Sequence, residues 1–158
     1  MTKQTAYLLA TWFKSGLSPK APGTVGSLCT LPLAWILATY TGTIGILIAS
    51  IIIFIIGEKA TKIVLSDKEN GQDPGFVVID EVVGQLLSFV FIAHLHINIY
   101  MYLFGFAFFR FFDILKPWPV SHYDKKVHSA YGVMMDDVCA GLYAGLMVLA
   151  TQYIVFGL

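Results

Sequence analysis

Charged side chains are scarce in this sequence, and they are missing altogether from three long stretches. Asp, Glu, Lys and Arg make up 13% of the 158 residues, against about 25% in an ordinary soluble domain. None of the four occurs in residues 21–57, 82–109 or 138–158. Hydrophobic residues make up 57% of the chain. This composition predicts a membrane-embedded protein.

Other features in short supply exclude whole classes of protein. The ten basic and ten acidic side chains give no net charge, so the basic surface of a nucleic-acid-binding protein is excluded. The only two cysteines, Cys29 and Cys139, lack CxxC or Cys/His spacing. They are predicted to be small buried hydrophobic residues and not metal ligands. The length suits one domain, so we expect residues 1–158 to build any site from their own segments.

The lengths of the uncharged stretches predict the topology. The first has 37 residues, too many for one span of about 20. It predicts a helical hairpin that turns at 40–43, where Gly42 interrupts the aliphatic run. The second carries His94, His96 and Asn98 near its middle, where polar groups would be costly inside a bilayer. A second hairpin with these residues at its turn is therefore predicted. The alternative is a single span, which would put the flanking charged segments on opposite sides.

The third stretch, 138–158, is long enough to cross once. Its pairs Ala140/Ala144 and Gly141/Gly145 are small residues four apart, which let helices approach closely. With two hairpins before it, all charged segments lie on one side, and the positive-inside tendency makes that side cytoplasmic. The predicted fold is all-α: a membrane-embedded helical bundle with apolar hairpins and its chemical motifs at the cytoplasmic mouths of the helices.

A loop rich in glycine, proline and hydroxyl residues precedes the first uncharged stretch. Its sequence is GLSPKAPGTVGSL, residues 16–28. Such a loop can hold a phosphate with backbone amides and a helix N-terminus while Lys20 neutralises charge. Alternatively, it is an ordinary helix entry with Thr24 or Ser27 as the N-cap. The residues alone favour the helix entry.

Carboxylates gather in the three other motifs. DPGFVVIDEVVG (73–84) and GVMMDDVCAG (132–141) each place two adjacent acids where an apolar stretch begins: Asp80 with Glu81, and Asp136 with Asp137. Taken singly, each pair has a simpler explanation as a helix cap. FRFFDILKPWPV (109–120) places Asp113 three residues before Lys116, the spacing of an ion pair on one helical face.

Taken together, the motifs indicate a metal site. The predicted topology brings five carboxylates and two lysines to one side of the membrane. Oxygen ligands without a Cys/His cluster select a hard cation such as Mg²⁺, which bridges protein carboxylates and substrate phosphate. The sequence therefore predicts metal-assisted phosphoryl chemistry.

The four motifs, in this order, resemble the signature blocks of the phosphatidylglycerophosphatase A family. The resemblance implies an all-helical enzyme of the bacterial cytoplasmic membrane. It would hydrolyse the phosphomonoester of phosphatidylglycerophosphate with Mg²⁺. The family's acidic positions fall on Asp80, Glu81, Asp113, Asp136 and Asp137, and its loop lysine falls on Lys20. The sequence departs from the family after His128, where Ser129-Ala130-Tyr131 stands in place of the frequent Gly-Gly.

Residues of other phosphatase chemistries are absent. Neither cysteine is followed six residues later by arginine, and no DxDxT motif occurs. Arg110 is the only arginine, too few for a lipid phosphatase that relies on arginines and histidines.

The resemblance implies the positions, and our own hypothesis assigns a role to each residue. Asp80, Asp136 and Asp137 are expected to hold one or two Mg²⁺ ions, and Glu81 and Asp113 are expected to be further metal ligands or the group that orients water. The substrate-binding residues are expected to be Lys20, Gly23, Thr24 and Lys116. Two other functions stay open. A small membrane transport or channel subunit would pass cations along the carboxylates, and a structural lipid-binding protein would need no metal.

Overall fold

The computed structural model describes residues 1–67, 74–93 and 98–157, and the regular structure in these ranges is entirely helical. No strand occurs there, so the all-α prediction is confirmed. A short 3-10 helix, Ser15–Leu17, follows the first α-helix. The α-helices are α1 (Lys3–Ala10), α2 (Pro22–Leu65), α3 (Ile79–Leu87), α4 (Ile99–Leu115), α5 (Val120–Lys126) and α6 (Ala130–Phe156).

Helix α2 is the predicted first hairpin. Gly42 interrupts it with φ 61° and ψ −153°, a conformation that only glycine adopts without strain. A Cβ on Gly26 would lie 2.9 Å from the Cβ of Val78, and one on Gly57 would lie 3.3 Å from Cγ1 of Ile79. A straight helix would separate residues 26 and 57 by about 46 Å, so the chain must reverse between them. The predicted turn is therefore confirmed.

Helices α3 and α4 form the second hairpin. A Cβ on Gly84 would overlap the Phe109 ring, and a Cβ on Gly105 would overlap the Phe89 ring. The two helices therefore run antiparallel, as predicted, and a single span over 82–109 is excluded. The expected turn residues His94 and His96 lie outside the described residues. Asn98 caps α4, where its side chain accepts a hydrogen bond from the Met101 amide at 3.1 Å.

Helix α6 packs closely against both helices of this second hairpin. A Cβ on Gly141 would overlap the Gly84 carbonyl oxygen, so α6 and α3 meet backbone to backbone. Ala140 and Ala144 are fully buried beside Phe109 of α4. The predicted role of the small residues in α6 is confirmed.

The outward faces of the long helices are apolar. Ile51 of α2 and Ile154 of α6 are among many exposed aliphatic residues. Two helices, Pro22–Leu65 and Ala130–Val155, are long and apolar enough to cross a membrane. Cys29 is exposed on α2 and Cys139 is only half-buried, so the prediction that both are buried is wrong. The apolar neighbours of Cys29 in sequence form an outer surface and not a core.

The three charged segments meet at one end of the bundle, as predicted. The Val78 amide donates to the Ala10 carbonyl at 2.8 Å, and Arg110 lies 3.8 Å from Glu81. The turn of α2 is at the other end, where the Thr43 hydroxyl donates to the Val90 carbonyl at 3.1 Å.

Candidate active site

A cavity of about 340 Å³ opens at the charged end of the bundle. The start of α3, the end of α4, α5 and the start of α6 surround it. Most of its lining is ionisable, although the helices below it are apolar. The ionisable residues are Asp80, Glu81, Asp113, Lys116, Tyr123, Asp124, His128, Asp136 and Asp137.

Three carboxylates form the tightest group in the cavity. Asp80, Glu81 and Asp137 each offer an oxygen, and these oxygens all lie within 4.8 Å of one another. Asp80 and Asp137 are only 8% and 3% exposed. The contact of Gly84 with Gly141 holds α3 against α6 one turn away, which fixes the separation of the two acidic motifs.

The electrostatics of this group fit a cation. Oε2 of Glu81 and Oδ1 of Asp137 are buried and accept no hydrogen bond from the described residues. Burying such an oxygen costs free energy of folding unless a hydrogen-bond donor or a metal ion interacts with it. Burial and the charge of Asp137 raise the pKa of the Glu81 carboxyl to about 8. The donor set is oxygen only, as Mg²⁺ prefers. The residues present therefore fit the predicted ion.

Side-chain capping does not explain the paired carboxylates, although Asp80 and Glu81 lie in the first turn of α3, where the helix dipole favours acids. Helix α3 begins after Val78, and no side chain caps it. Helix α6 is capped by Ser129, whose side chain accepts from the Gly132 amide at 3.2 Å. Asp136 and Asp137 therefore lie in the second turn of α6, beyond the reach of a cap, and the capping explanation is wrong for them.

Asp136 lies in the same cavity but has a different partner. Its Oδ2 is 2.7 Å from Nζ of Lys116, and Oδ1 of Asp124 is 2.6 Å from the same nitrogen. The other oxygen of Asp136 accepts from the Asp137 amide at 2.9 Å. The structure therefore brings Asp80, Glu81 and Asp137 together, and it joins Asp136 to the lysine.

The ion pair expected between Asp113 and Lys116 does not form. Asp113 pairs instead with Arg110, one turn earlier in α4, at 2.7 Å, and Arg110 also approaches Glu81 at 3.8 Å. The cause is the backbone of Lys116, which ends α4 in the left-handed region with φ 47°. Its side chain therefore leaves the helical face that carries Asp113.

The glycine-rich loop reaches the site through Gly23. Helix α2 begins at Pro22, so Thr24 and Ser27 lie within the helix and cap nothing. The Ser27 hydroxyl donates to the Gly23 carbonyl at 2.8 Å. A Cβ on Gly23 would overlap Oε1 of Glu81, which places the first turn of α2 directly against the carboxylates. Lys20 is exposed on this loop, outside the lining of the cavity.

Sequence reasoning assigned no role to two charged residues of the site. Arg110 stands three residues before Asp113, and that spacing is a signal for an ion pair. Asp124 carries no comparable signal, because its partner Lys116 is eight residues away and α5 lies between two turns.

The described residues form helices only, and the buried carboxylate cluster and the lysine that share one cavity are features of an enzyme active site. The model of the family described as "Phosphatidylglycerophosphatase A" matches residues 8–152. The chain therefore belongs to the phosphatidylglycerophosphatase A family, a family of phosphatase enzymes.

Individual relatives agree with the family assignment. The chain is 40% identical over 147 residues to a phosphatidylglycerophosphatase A of Haemophilus influenzae, covering 93% of this chain and 88% of the relative. It is 33% identical over 150 residues to the Escherichia coli protein of the same name, covering 89% and 80%. A Bacteroides thetaiotaomicron protein named "Putative phosphatidylinositol-3-phosphatase" is 32% identical over 154 residues, covering 94% of both. No solved structure matches the chain.

Proposed function

We propose that this protein hydrolyses the terminal phosphomonoester of phosphatidylglycerophosphate, with Mg²⁺, to give phosphatidylglycerol and inorganic phosphate. The observation that carries the proposal is the grouping of Asp80, Glu81 and Asp137 within 4.8 Å, in the same cavity as Lys116. The names of the two phosphatidylglycerophosphatase A relatives support the choice of substrate.

Each side of the cavity has a separate task in this proposal. Asp80, Glu81 and Asp137 would hold the Mg²⁺, which when bound neutralises phosphate charge and acidifies a bound water. The Lys116 ammonium would donate to a phosphate oxygen. Arg110 holds Glu81 and Asp113 in place through its ion pairs and lies outside the cavity lining.

Hydrolysis requires water to attack phosphorus as the bond from phosphorus to the glycerol oxygen breaks. The departing glycerol oxygen takes up a proton and leaves as the hydroxyl of phosphatidylglycerol. Asp113 lines the cavity beside the three carboxylates and is anchored by Arg110. We propose that Asp113 orients the attacking water.

The apolar exterior supports a membrane location for this reaction. In the proposal α2 and α6 lie in the bacterial cytoplasmic membrane, in a multi-pass arrangement with the cavity facing the cytoplasm. The headgroup of the lipid then enters the cavity at the interface while its acyl chains stay in the bilayer. A cation transport function would require charged groups along the helices, but residues 82–109 and 138–158 carry none.

Phosphate release from defined lipids tests the proposal. Purified protein in detergent is given phosphatidylglycerophosphate, phosphatidylinositol 3-phosphate or glycerol 3-phosphate, each with Mg²⁺ or with EDTA. We expect release from phosphatidylglycerophosphate, with Mg²⁺ only, to have the highest kcat/KM. Faster phosphate release from the inositol lipid would mean that the inositol lipid is the preferred substrate, while the proposed phosphomonoester hydrolysis would stand. Full activity in EDTA would contradict the metal site.

A further inference from the structure

Lys116 is held by two carboxylates that come from different helices. Asp124 of α5 is 2.6 Å from Nζ and Asp136 of α6 is 2.7 Å from it. These separations are at the short end for charge-assisted hydrogen bonds. The three residues form what we call the lysine clamp.

Among the described residues, the clamp occupies two of the three donors of the ammonium, which leaves one for a ligand. A lysine ammonium has three N–H groups, and Asp124 and Asp136 accept two of them. All three residues of the clamp line the cavity that also holds Asp80, Glu81 and Asp137. A lysine side chain is flexible in water and loses rotamer freedom when it is fixed. If the side chain is already fixed before the substrate binds, this entropy loss no longer weakens substrate binding.

The clamp keeps the lysine charged although it is partly buried. Burial acts to lower the pKa of the Lys116 ammonium, but the charges and hydrogen bonds of Asp136 and Asp124 outweigh it and raise the pKa above its usual value. A charged donor therefore persists at the cavity wall over the physiological pH range. Asp136 also has a specific task, since its partner is the lysine and not the group of three oxygens.

We propose that Asp124 is a positioning residue for substrate phosphate: with Asp136 it fixes the Lys116 ammonium so that its remaining N–H binds the phosphate of the lipid. This inference rests on the proposed function, because it assumes that the cavity receives a phosphate. It separates the acids of the cavity into two sets, one for the metal and one for the lysine. Asp124 acts only through Lys116.

The alternative is that the clamp merely fastens α5 to α6. A fastening role would change thermal stability without changing the affinity for phosphate, so two kinds of measurement distinguish the roles. One is KM and kcat for lipid phosphate release, with the Mg²⁺ concentration that gives half-maximal rate. The other is calorimetric binding of inorganic phosphate, the product, in the presence of Mg²⁺. Phosphate binding does not depend on which lipid is the substrate.

The key variant is Asp124→Asn, with Asp67→Asn as its matched control. Asp67 forms an ion pair with Lys3 at 3.5 Å on the surface, outside the cavity. We expect Asp124→Asn to raise KM and the Kd for phosphate by about tenfold, with little change in kcat or in the Mg²⁺ requirement. Asp124→Glu should restore part of the affinity, and Asp67→Asn should change none of these values.

A double variant tests whether Asp124 acts through the lysine. Lys116→Met should weaken phosphate binding, and adding Asp124→Asn to it should weaken it no further. An additive effect would overturn the inference, as would an unchanged phosphate Kd in Asp124→Asn. A raised Mg²⁺ requirement in Asp124→Asn would place Asp124 in the metal site and also overturn it. If the wild-type protein binds phosphate but hydrolyses none of the three substrates, the proposed function is wrong. The phosphate Kd of the Asp124 and Lys116 variants still tests the role of Asp124 in that case.

Discussion

Gly23 lies against Glu81 so closely that a Cβ on the glycine would overlap the Oε1 atom of the carboxylate. The same Cβ would lie 3.2 Å from Nη1 of Arg110. The first turn of α2 therefore packs directly against the ion pair between Glu81 and Arg110. This contact joins the glycine-rich loop to the candidate metal-ligand group, although Gly23 and Glu81 are 58 positions apart in sequence.

Gly23→Ala should therefore reduce activity even though alanine is the better helix former. The added methyl must displace the Glu81 carboxylate, which shifts one of the three candidate ligands. We expect at least a tenfold fall in kcat/KM, of the order produced by a misplaced catalytic group, and a raised Mg²⁺ requirement. Leu17→Ala, an exposed change in the same loop, is the control and should leave both values unaltered.

Asp80→Asn and Asp137→Asn should each abolish most activity. A neutral amide is a poor ligand for a hard cation, so we expect losses of at least about a hundredfold in kcat/KM. Circular dichroism should show intact helices. Asp136→Asn should differ, because its partner is Lys116: its main effect should be on KM. Similar kinetic defects and similar Mg²⁺ requirements in all three variants would argue against this division of the acids.

Mg²⁺ should stabilise the folded protein through the same three carboxylates. An ion that binds only the folded state adds about 2.7 kcal/mol at one hundred times its Kd, so the Tm measured in detergent should rise with Mg²⁺ and fall with EDTA. In Asp137→Asn the rise should disappear. In EDTA this variant should be at least as stable as wild type, because it removes one of several crowded buried charges. An equal Mg²⁺ effect in both proteins would mean that the ion binds elsewhere.

Thiol-blocking reagents should leave activity largely intact. Cys29 is exposed on α2, and neither cysteine lines the cavity. Modification by N-ethylmaleimide, verified by mass spectrometry, should therefore change kcat/KM by less than about twofold. Protection of the lost activity by substrate would instead show that a cysteine lies near the site.

Single cysteines introduced into a Cys29→Ala, Cys139→Ala background test the topology. Lys14, Lys59 and Lys125 lie in the charged segments and should all react from the cytoplasmic side. Tyr40, 76% exposed near the turn of α2, should react from the opposite side. Labelling of Lys59 and Lys125 from opposite faces in intact cells and inverted vesicles would contradict the shared site.

The topology was predictable because it follows from the lengths of the uncharged stretches and from the free-energy cost of placing polar side chains inside a bilayer. A 37-residue stretch without charge must turn, and Gly42 is the residue there that tolerates the required backbone. The grouping of Asp80 and Glu81 with Asp137 followed from the same reasoning, since hairpins return the acidic motifs to one end.

Spacing was only a partial guide to the pairing of individual charges: it suits the Arg110–Asp113 pair, which forms, but not the pairing of Lys116. Spacing placed Asp113 and Lys116 on one helical face, but the left-handed conformation of Lys116 turns its side chain toward Asp124. The capping explanation failed for a related reason. Helix α6 begins at Ala130, six residues before Asp136, so an uncharged stretch is a poor guide to where its helix starts.

The contact between Gly84 and Gly141 has a consequence for how the site responds to its surroundings. Because the two backbones touch, α3 and α6 cannot slide past each other by one residue without forcing a side chain into the contact. The spacing of the candidate ligands is then set by helix register and not by loops. Changes in bilayer thickness or lateral pressure should therefore tilt α3 and α6 together as one rigid unit. The distances between the candidate metal ligands should not change when this happens.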